Sequence, residues 1–307
     1  MTPTRSVTRG DIQLAVYEWG TAADGKPTVV LVHGYPDSAQ VWEAIAERLA
    51  AQFHVVAYDV RGAGQSSVPK RIRDYRILEL MADLAAVFDA VAPGRKVHLV
   101  GHDWGSIQSW ESVTLSPMRD RIASYTSISG PSLDHVGYWL RAHAKPGWKG
   151  QQLLRQLGRS WYILMFQLPV VAPAAWSLAL GRSWARIMKT MEGTVIDASS
   201  TQTADGRNGV NLYRANVLPR LLRPEPRHAI APVQLIIPMR DRFVSPELYE
   251  GLSHWVPNLR RRAIDAGHWL LLSHPDKVAR CIAEWVDEHA GRPAAVSAKR
   301  PARPNAR

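Results

Sequence analysis

The 307-residue chain contains one cysteine, Cys281, which excludes an intramolecular disulfide and a cysteine-based metal site. Cys281 falls on a helical pattern with Val278, Ile282 and Trp285, the setting of a packed core residue rather than a reactive thiol. The opening stretch, MTPTRSVTRGDIQLAVYEWG, lacks the continuous apolar run of a secretory leader. Together these absences point to the cytoplasm. No Gly-x-Gly-x-x-Gly fingerprint occurs, which sets aside a dinucleotide-binding turn. Acidic residues are missing from 291–307, where Arg292, Lys299, Arg300, Arg303 and Arg307 supply +5 of the net +11. Residues 132–230 supply a further +8, and the remainder is close to neutral at −2. The basic tail has no interleaved aromatics and no nucleic-acid-binding motif beside it, so attraction to anionic lipid or an anionic substrate is the better reading. Its Pro, Ala and Arg content reads as a disordered segment or a linker.

What is present is an alternation of strands and helices. At 46% hydrophobic, the chain can bury one large core, or a core with a sizeable insertion. Thr28–Val32 reads as a buried parallel strand. Residues 38–50 follow as a helix, with Ser38 at its N-cap. Phe53–Tyr58 is the next strand, followed by a helix from about Arg76 to Val91. Val97–Val100 then leads into Gly101-His102-Asp103-Trp104-Gly105, a helix to about Leu115, and a strand at Ile122–Ile128. The rhythm resumes after residue 230 with Val233–Ile237, a helix near Pro246–His254, a strand at Arg260–Ile264 and a helix from about Pro275 to His289. This predicts an α/β fold with a mostly parallel, doubly wound sheet, residues 1–131 and 231–290 forming its core. Residues 132–230 are then a helical lid inserted after the sixth strand, and 291–307 a tail. Within the lid, Trp161–Leu180 is long enough to span a membrane and carries no charge, but Gln167, Pro169 and Pro173 favour a lid lining an apolar pocket. Peripheral contact with a membrane surface is the remaining reading.

The chemistry is carried by Gly101-x-Asp103-x-Gly105, the spacing of a strand-to-helix elbow with Asp at the nucleophile position. The following helix offers backbone N–H groups and its positive end, which keep a carboxylate ionised. A carboxylate can displace at an sp³ carbon and form an ester of the enzyme itself, which suits epoxides and alkyl halides. Hydrolysing that ester needs a base and a group to orient it. His268, in the turn Ala266-Gly267-His268-Trp269, is the candidate base. His33 and His102 flank motifs as loop supports, and His98 is a core residue. Asp241, in PMRDRFVSP, is the candidate acid, with Asp134 and Asp265 as less favoured positions. The backbone N–H groups of Trp104 and Tyr35 are the candidate oxyanion-hole donors. Ser106 lies one turn into the helix, away from His268, which disfavours a serine esterase.

The segments HGYPDSAQVW, DVRGAGQSS, GHDWG, PMRDRFV and AGHW, in that order, resemble those of microbial and soluble epoxide hydrolases of the α/β-hydrolase fold. The resemblance covers roughly residues 10–290. It implies two lid tyrosines that donate to the epoxide oxygen, and Tyr162 and Tyr213 stand in matching contexts, with Leu212 where the family has Trp. Phenols can protonate the alkoxide left by ring opening, and Tyr138 is a third lid tyrosine. The lid and tail further resemble the hydrolase half of the mycobacterial epoxide hydrolase D type, in which a short-chain dehydrogenase domain follows. That implies a lipid-like epoxide substrate and a tail that could lead to a missing dehydrogenase domain. The implied reaction needs no metal or organic cofactor. A haloalkane dehalogenase and a catalytically idle lipid-binding domain are the alternatives.

Overall fold

A computed structural model describes residues 1–22, 25–193 and 199–290. Eight strands form one sheet: β1 (Arg5–Arg9), β2 (Ile12–Trp19), β3 (Thr28–Val32), β4 (His54–Tyr58), β5 (Val97–His102), β6 (Ile122–Ile128), β7 (Val233–Pro238) and β8 (Leu259–Ile264). Their order across the sheet is β1-β2-β4-β3-β5-β6-β7-β8. β1 pairs antiparallel with β2, and β2 with β4, while every other neighbour is parallel.

Alternation along each strand divides the apolar residues between two layers. On β3, Val30 and Val32 join one core with Leu80, Leu84, Val87 and Phe88 of the helix Ile77–Val91. Val29 and Leu31 point to the opposite core, against Trp42, Ile45 and Leu49, and Val278 and Ile282 of the last helix. Strands covered on both faces read as continuous apolar runs, which is why β3 and β4 are legible in the sequence. β1 and β2 are not: a lid after the sixth strand implies two strands before Thr28, but the sequence does not place them. The edge strand β1 buries only Val7, and Arg5 and Arg9 on the same face reach polar groups of the helix Ile77–Val91, so its sequence pattern is that of a solvated segment.

Two other expectations need correction. Residues 38–50 form a 3₁₀ turn (Ala39–Trp42) before the helix Glu43–Leu49, and Ser38 makes no side-chain capping bond. The helix expected near Pro246–His254 is two short 3₁₀ turns, Pro246–Tyr249 and Leu252–His254, broken at Gly251 with φ +74°.

Between β6 and β7 the described chain is helical, beginning with Leu133–His143 and ending with Gln202–Leu222. The uncharged stretch from Trp161 is divided into Trp161–Phe166, Val171–Ala175 and a π turn at Trp176–Leu180. No helix among the described residues is long and apolar enough to cross a membrane. Arg220 ties the insertion to the core through Glu111 at 2.7 Å and braces the insertion's own first helix through Asp134 at 3.3 Å. Arg227 reaches the same two acids at 3.2 and 3.5 Å. Asp134 is thus a structural anchor rather than a partner of His268. The tail from Gly291 to Arg307 lies outside the described residues.

Candidate active site

β5 runs straight into the helix Trp104–Thr114, and the residue between them is Asp103. Its φ of +50° with ψ of −122° is an unfavourable backbone state for any residue with a Cβ. A turn this sharp brings backbones together: a Cβ on Gly105 would lie 2.0 Å from the Val32 carbonyl oxygen. Gly34 is bare for a similar reason, since a Cβ there would lie 2.6 Å from Asp103 Oδ1. The strain fixes the Asp103 carboxylate at the carboxyl edge of the sheet.

The two oxygens of Asp103 differ. Oδ1 accepts a hydrogen bond from the Tyr35 backbone N–H at 2.8 Å. Oδ2 lies 3.5 Å from His268 Nε2. The amide of Trp104, at the first helical position, has no acceptor within its own helix. On the far side of the imidazole, His268 Nδ1–H donates to Asp241 Oδ2 at 2.8 Å. Asp241 Oδ1 is held in turn by the N–H groups of Phe243 at 2.8 Å and Val244 at 3.0 Å. Both carboxylates and the imidazole are buried.

Burial alone pulls the His268 pKa down, but the Asp241 and Asp103 carboxylates outweigh it and hold the pKa well above the usual histidine value. Burial likewise raises Asp241, and its contacts with His268, Val244 and Phe243 bring it below the ordinary carboxylate range. The two acids on either side of the ring thus favour its protonated form. Asp265, the other carboxylate near this loop, faces solvent and pairs with Arg240 at 2.8 Å.

The remaining histidines of the motifs support loops. His33 Nδ1–H donates to the Gly34 carbonyl at 2.9 Å while Nε2 accepts the Val60 N–H at 2.8 Å, a pairing only the neutral ring can make. His102 Nε2–H donates to the His268 carbonyl at 3.0 Å, and burial pushes its pKa down to about 4. His98 meets Ser124 Oγ at 2.8 Å inside the sheet. Ser106 is buried beneath the elbow, hydrogen-bonded to the Gly130 carbonyl and near Tyr125 and Ser127.

Above Asp103 lie two cavities, of about 420 and 370 Å³, both bordered by Asp103, Tyr162, Tyr213 and Phe243. Tyr162 comes from the short helix Trp161–Phe166 and Tyr213 from the long helix Gln202–Leu222. Their rings are 6.0 Å apart, edge to face, and Tyr213 packs on Trp104 at 4.9 Å. Burial raises both phenol pKa values, so both hydroxyls stay protonated. Tyr138 is elsewhere, against Trp255. The structure thus brings Asp103, His268, Asp241, Tyr35, Trp104, Tyr162 and Tyr213 to one place.

Three neighbours escaped the sequence reading. Asp37, just after the Tyr35 loop, accepts the Trp269 indole N–H at 2.9 Å, and burial raises its pKa to about 7. Phe243 stacks edge-on to His268 at 5.0 Å. Glu192, the last residue of the helix Gly181–Glu192, accepts the His268 backbone N–H at 3.2 Å, and burial raises its pKa. Asp37 and Phe243 lie within recognised motifs and could have been flagged there. Glu192 is 76 residues from His268 with no motif around it, so only the fold reveals it.

A family model described as alpha/beta hydrolase fold matches residues 27–275. Among curated proteins, the chain is 38% identical over 287 residues to Probable oxidoreductase EphD of Mycobacterium tuberculosis, covering 90% of this chain and 48% of that protein. It is 38% identical over 191 residues to Epoxide hydrolase A of the same species, covering 62% of this chain and 54% of the relative. The chain spans about half the length of these curated relatives. Among solved structures, a mutant of an epoxide hydrolase from Bacillus megaterium superimposes with a TM-score of 0.77 at 21% identity, over 92% of this chain and 100% of that one. An epoxide hydrolase from Vigna radiata gives 0.72 at 23%, over 92% and 97%. The strained turn after β5 and the mostly parallel eight-stranded sheet agree with the family match, and the chain belongs to the alpha/beta hydrolase fold family.

Proposed function

We propose that the chain is an epoxide hydrolase that opens an epoxide to a vicinal diol through an ester on Asp103, beneath a lid formed by the inserted helices. The observation that carries this reading is the placement of two protonated phenols, Tyr162 and Tyr213, around the cavities above a carboxylate backed by His268 and Asp241.

In the first step Asp103 Oδ2 attacks an epoxide carbon. The carbon–oxygen bond breaks, and its electron pair goes to the oxygen, which takes a proton from one phenol while the other donates a hydrogen bond. Asp103 is now a neutral ester. One of the two charges that held the proton on His268 has gone, so the imidazole pKa falls; its proton passes to the phenolate left by ring opening, and the neutral ring can act as a base. In the second step His268 Nε2 takes a proton from water, and the resulting hydroxide adds to the ester carbon. The charge that develops on Oδ1 is met by the N–H of Tyr35, already 2.8 Å away, and by the N–H of Trp104. Collapse of this intermediate sends the His268 proton to the departing alkoxide and releases the diol, and the proton left on the Asp103 carboxyl passes to His268, which restores the carboxylate and the imidazolium. Asp241 keeps the imidazole in the tautomer that leaves Nε2 free to work. Glu192 fixes the His268 backbone from the lid side. The reaction needs no metal or organic cofactor.

Haloalkane dehalogenation would use the same Asp and His but requires two halide donors. The Trp104 indole N–H, beside the Tyr213 hydroxyl, could supply one. Tyr35 offers no side-chain donor to the site, because its hydroxyl is committed to the Gly206 carbonyl at 3.0 Å. The oxidoreductase name carried by one relative applies to a protein of which this chain matches 48%.

The test is diol formation from a panel running from styrene oxide to a long-chain fatty-acid epoxide. The native protein is expected to turn over at least one member, and Asp103→Ala to lose about 10⁴-fold or more. Folded protein that yields no diol from any epoxide, but releases bromide from 1,2-dibromoethane, would replace this reading with the dehalogenase.

A further inference from the structure

The outer face of the insertion is unlike the rest of the surface. Among the described residues, 17 large apolar side chains are exposed, and nine of them fall within the 31 residues from Trp148 to Leu178. Leu154, Val170 and Leu178 are 70%, 74% and 76% exposed, and Trp161 and Leu164 63% and 67%. The same region has charge of one sign only. From His135 to Met191 the sequence has eight Lys and Arg and no Asp or Glu. None of those eight cations has a carboxylate within 4 Å among the described residues. Soluble proteins rarely leave so much apolar surface open unless something covers it.

Both cavities reach this face. Trp161 and Arg159 edge the one that extends over His268, and Leu157, Leu164 and Leu218 edge the other. From these observations we infer that the outer face of the insertion docks on an anionic lipid bilayer, its apolar side chains entering the interface and its Lys and Arg meeting lipid phosphates. Exposed Trp and Leu surrounded by cations is the composition that binds such surfaces, and the charge complements anionic headgroups. A second copy of the chain fits less well: across a two-fold axis this face would bring a stretch of eight Lys and Arg without acids against another such stretch. An apolar substrate leaving the bilayer would then enter the cavities directly. That consequence rests on the proposed epoxide reaction, whereas the docking does not.

The full-length chain is to be sedimented with vesicles of phosphatidylcholine alone and of equal parts phosphatidylcholine and phosphatidylglycerol. Two double variants, Leu154→Glu with Leu178→Glu and Arg155→Glu with Arg182→Glu, alter exposed side chains that border neither cavity. The native protein is expected to pellet with the anionic vesicles only, and to be released by salt. Each variant is expected to lower partitioning by about tenfold or more, with an unchanged circular dichroism spectrum and unchanged turnover of styrene oxide. All forms share the basic segment 291–307, so equal binding by all of them would assign the attraction to that tail and overturn the proposal. Failure of the native protein to pellet with either vesicle would also overturn it, as would a native dimer that the Leu→Glu pair dissociates. Loss of turnover in every form, with vesicle binding intact, would instead count against the reaction.

Discussion

The sheet and the insertion handle charge and apolar surface in opposite ways. In the sheet domain apolar residues face inward on both sides, and a buried charge has a partner: Arg61 meets Asp83 at 2.6 Å with both side chains almost fully buried. In the insertion much apolar surface faces outward, and among the described residues the cations from Arg141 to Lys189 have no carboxylate within 4 Å. The sheet is shaped by its own interior, the insertion by what lies on either side of it. Its inner face supplies Tyr162, Phe166 and Tyr213 around the cavities. Its outer face is free of the constraint that governs the core.

Substitutions in the two regions can break or sharpen this contrast. The largest effect on stability is expected in the core: Asp83→Ala strands Arg61 in a buried site and should cost about 3–5 kcal/mol, read by urea unfolding. Leu154→Ala on the outer face should change stability by no more than about 0.5 kcal/mol. Similar losses at both positions would erase the distinction. The inner face should matter for rate and not for stability. Tyr213→Phe should lower the rate of ester formation by about 10²-fold, with a further loss when Tyr162→Phe is added. An unchanged single-turnover rate in the double variant would remove the phenols from the mechanism.

The smallest change is electrostatic. Asp103→Asn resembles the ester by removing one of the two charges beside His268, and should lower the His268 pKa, measured by NMR titration of the ring. The native His268 pKa lies above the ordinary 6.5, so its ion pairs stabilise the fold fully below that pH, and this stabilisation fades as pH rises through the folded value. Asp103→Asn should therefore also weaken the pH dependence of melting above 6.5. An unshifted imidazole would mean that Asp103 does not control it.

The same contrast explains what could be read in advance. Buried parallel strands and turns with special backbone needs leave local signatures, so β3 to β7 and the Gly101–Gly105 elbow were legible, while β8, an edge strand burying only Ile264, was read from the resumed strand–helix alternation. The antiparallel edge β1–β2 was not, because one solvated strand with Arg5 and Arg9 looks like a loop. Within the site, Asp103, His268 and Asp241 each sit in a turn with its own pattern. Tyr162 and Tyr213 were reached only through the family resemblance, since no local rule marks which lid tyrosine faces inward, and Tyr138 does not. Glu192 belongs to the insertion and meets His268 only through the fold.

The central claim is the ester on Asp103, and His268→Gln tests it most directly. With the base removed, ring opening can proceed and hydrolysis cannot. Intact-mass measurement after mixing with a turned-over epoxide should show the protein heavier by one epoxide, with the added mass mapping to the peptide that holds Asp103. A folded His268→Gln protein that binds the epoxide and gains no mass would contradict the account.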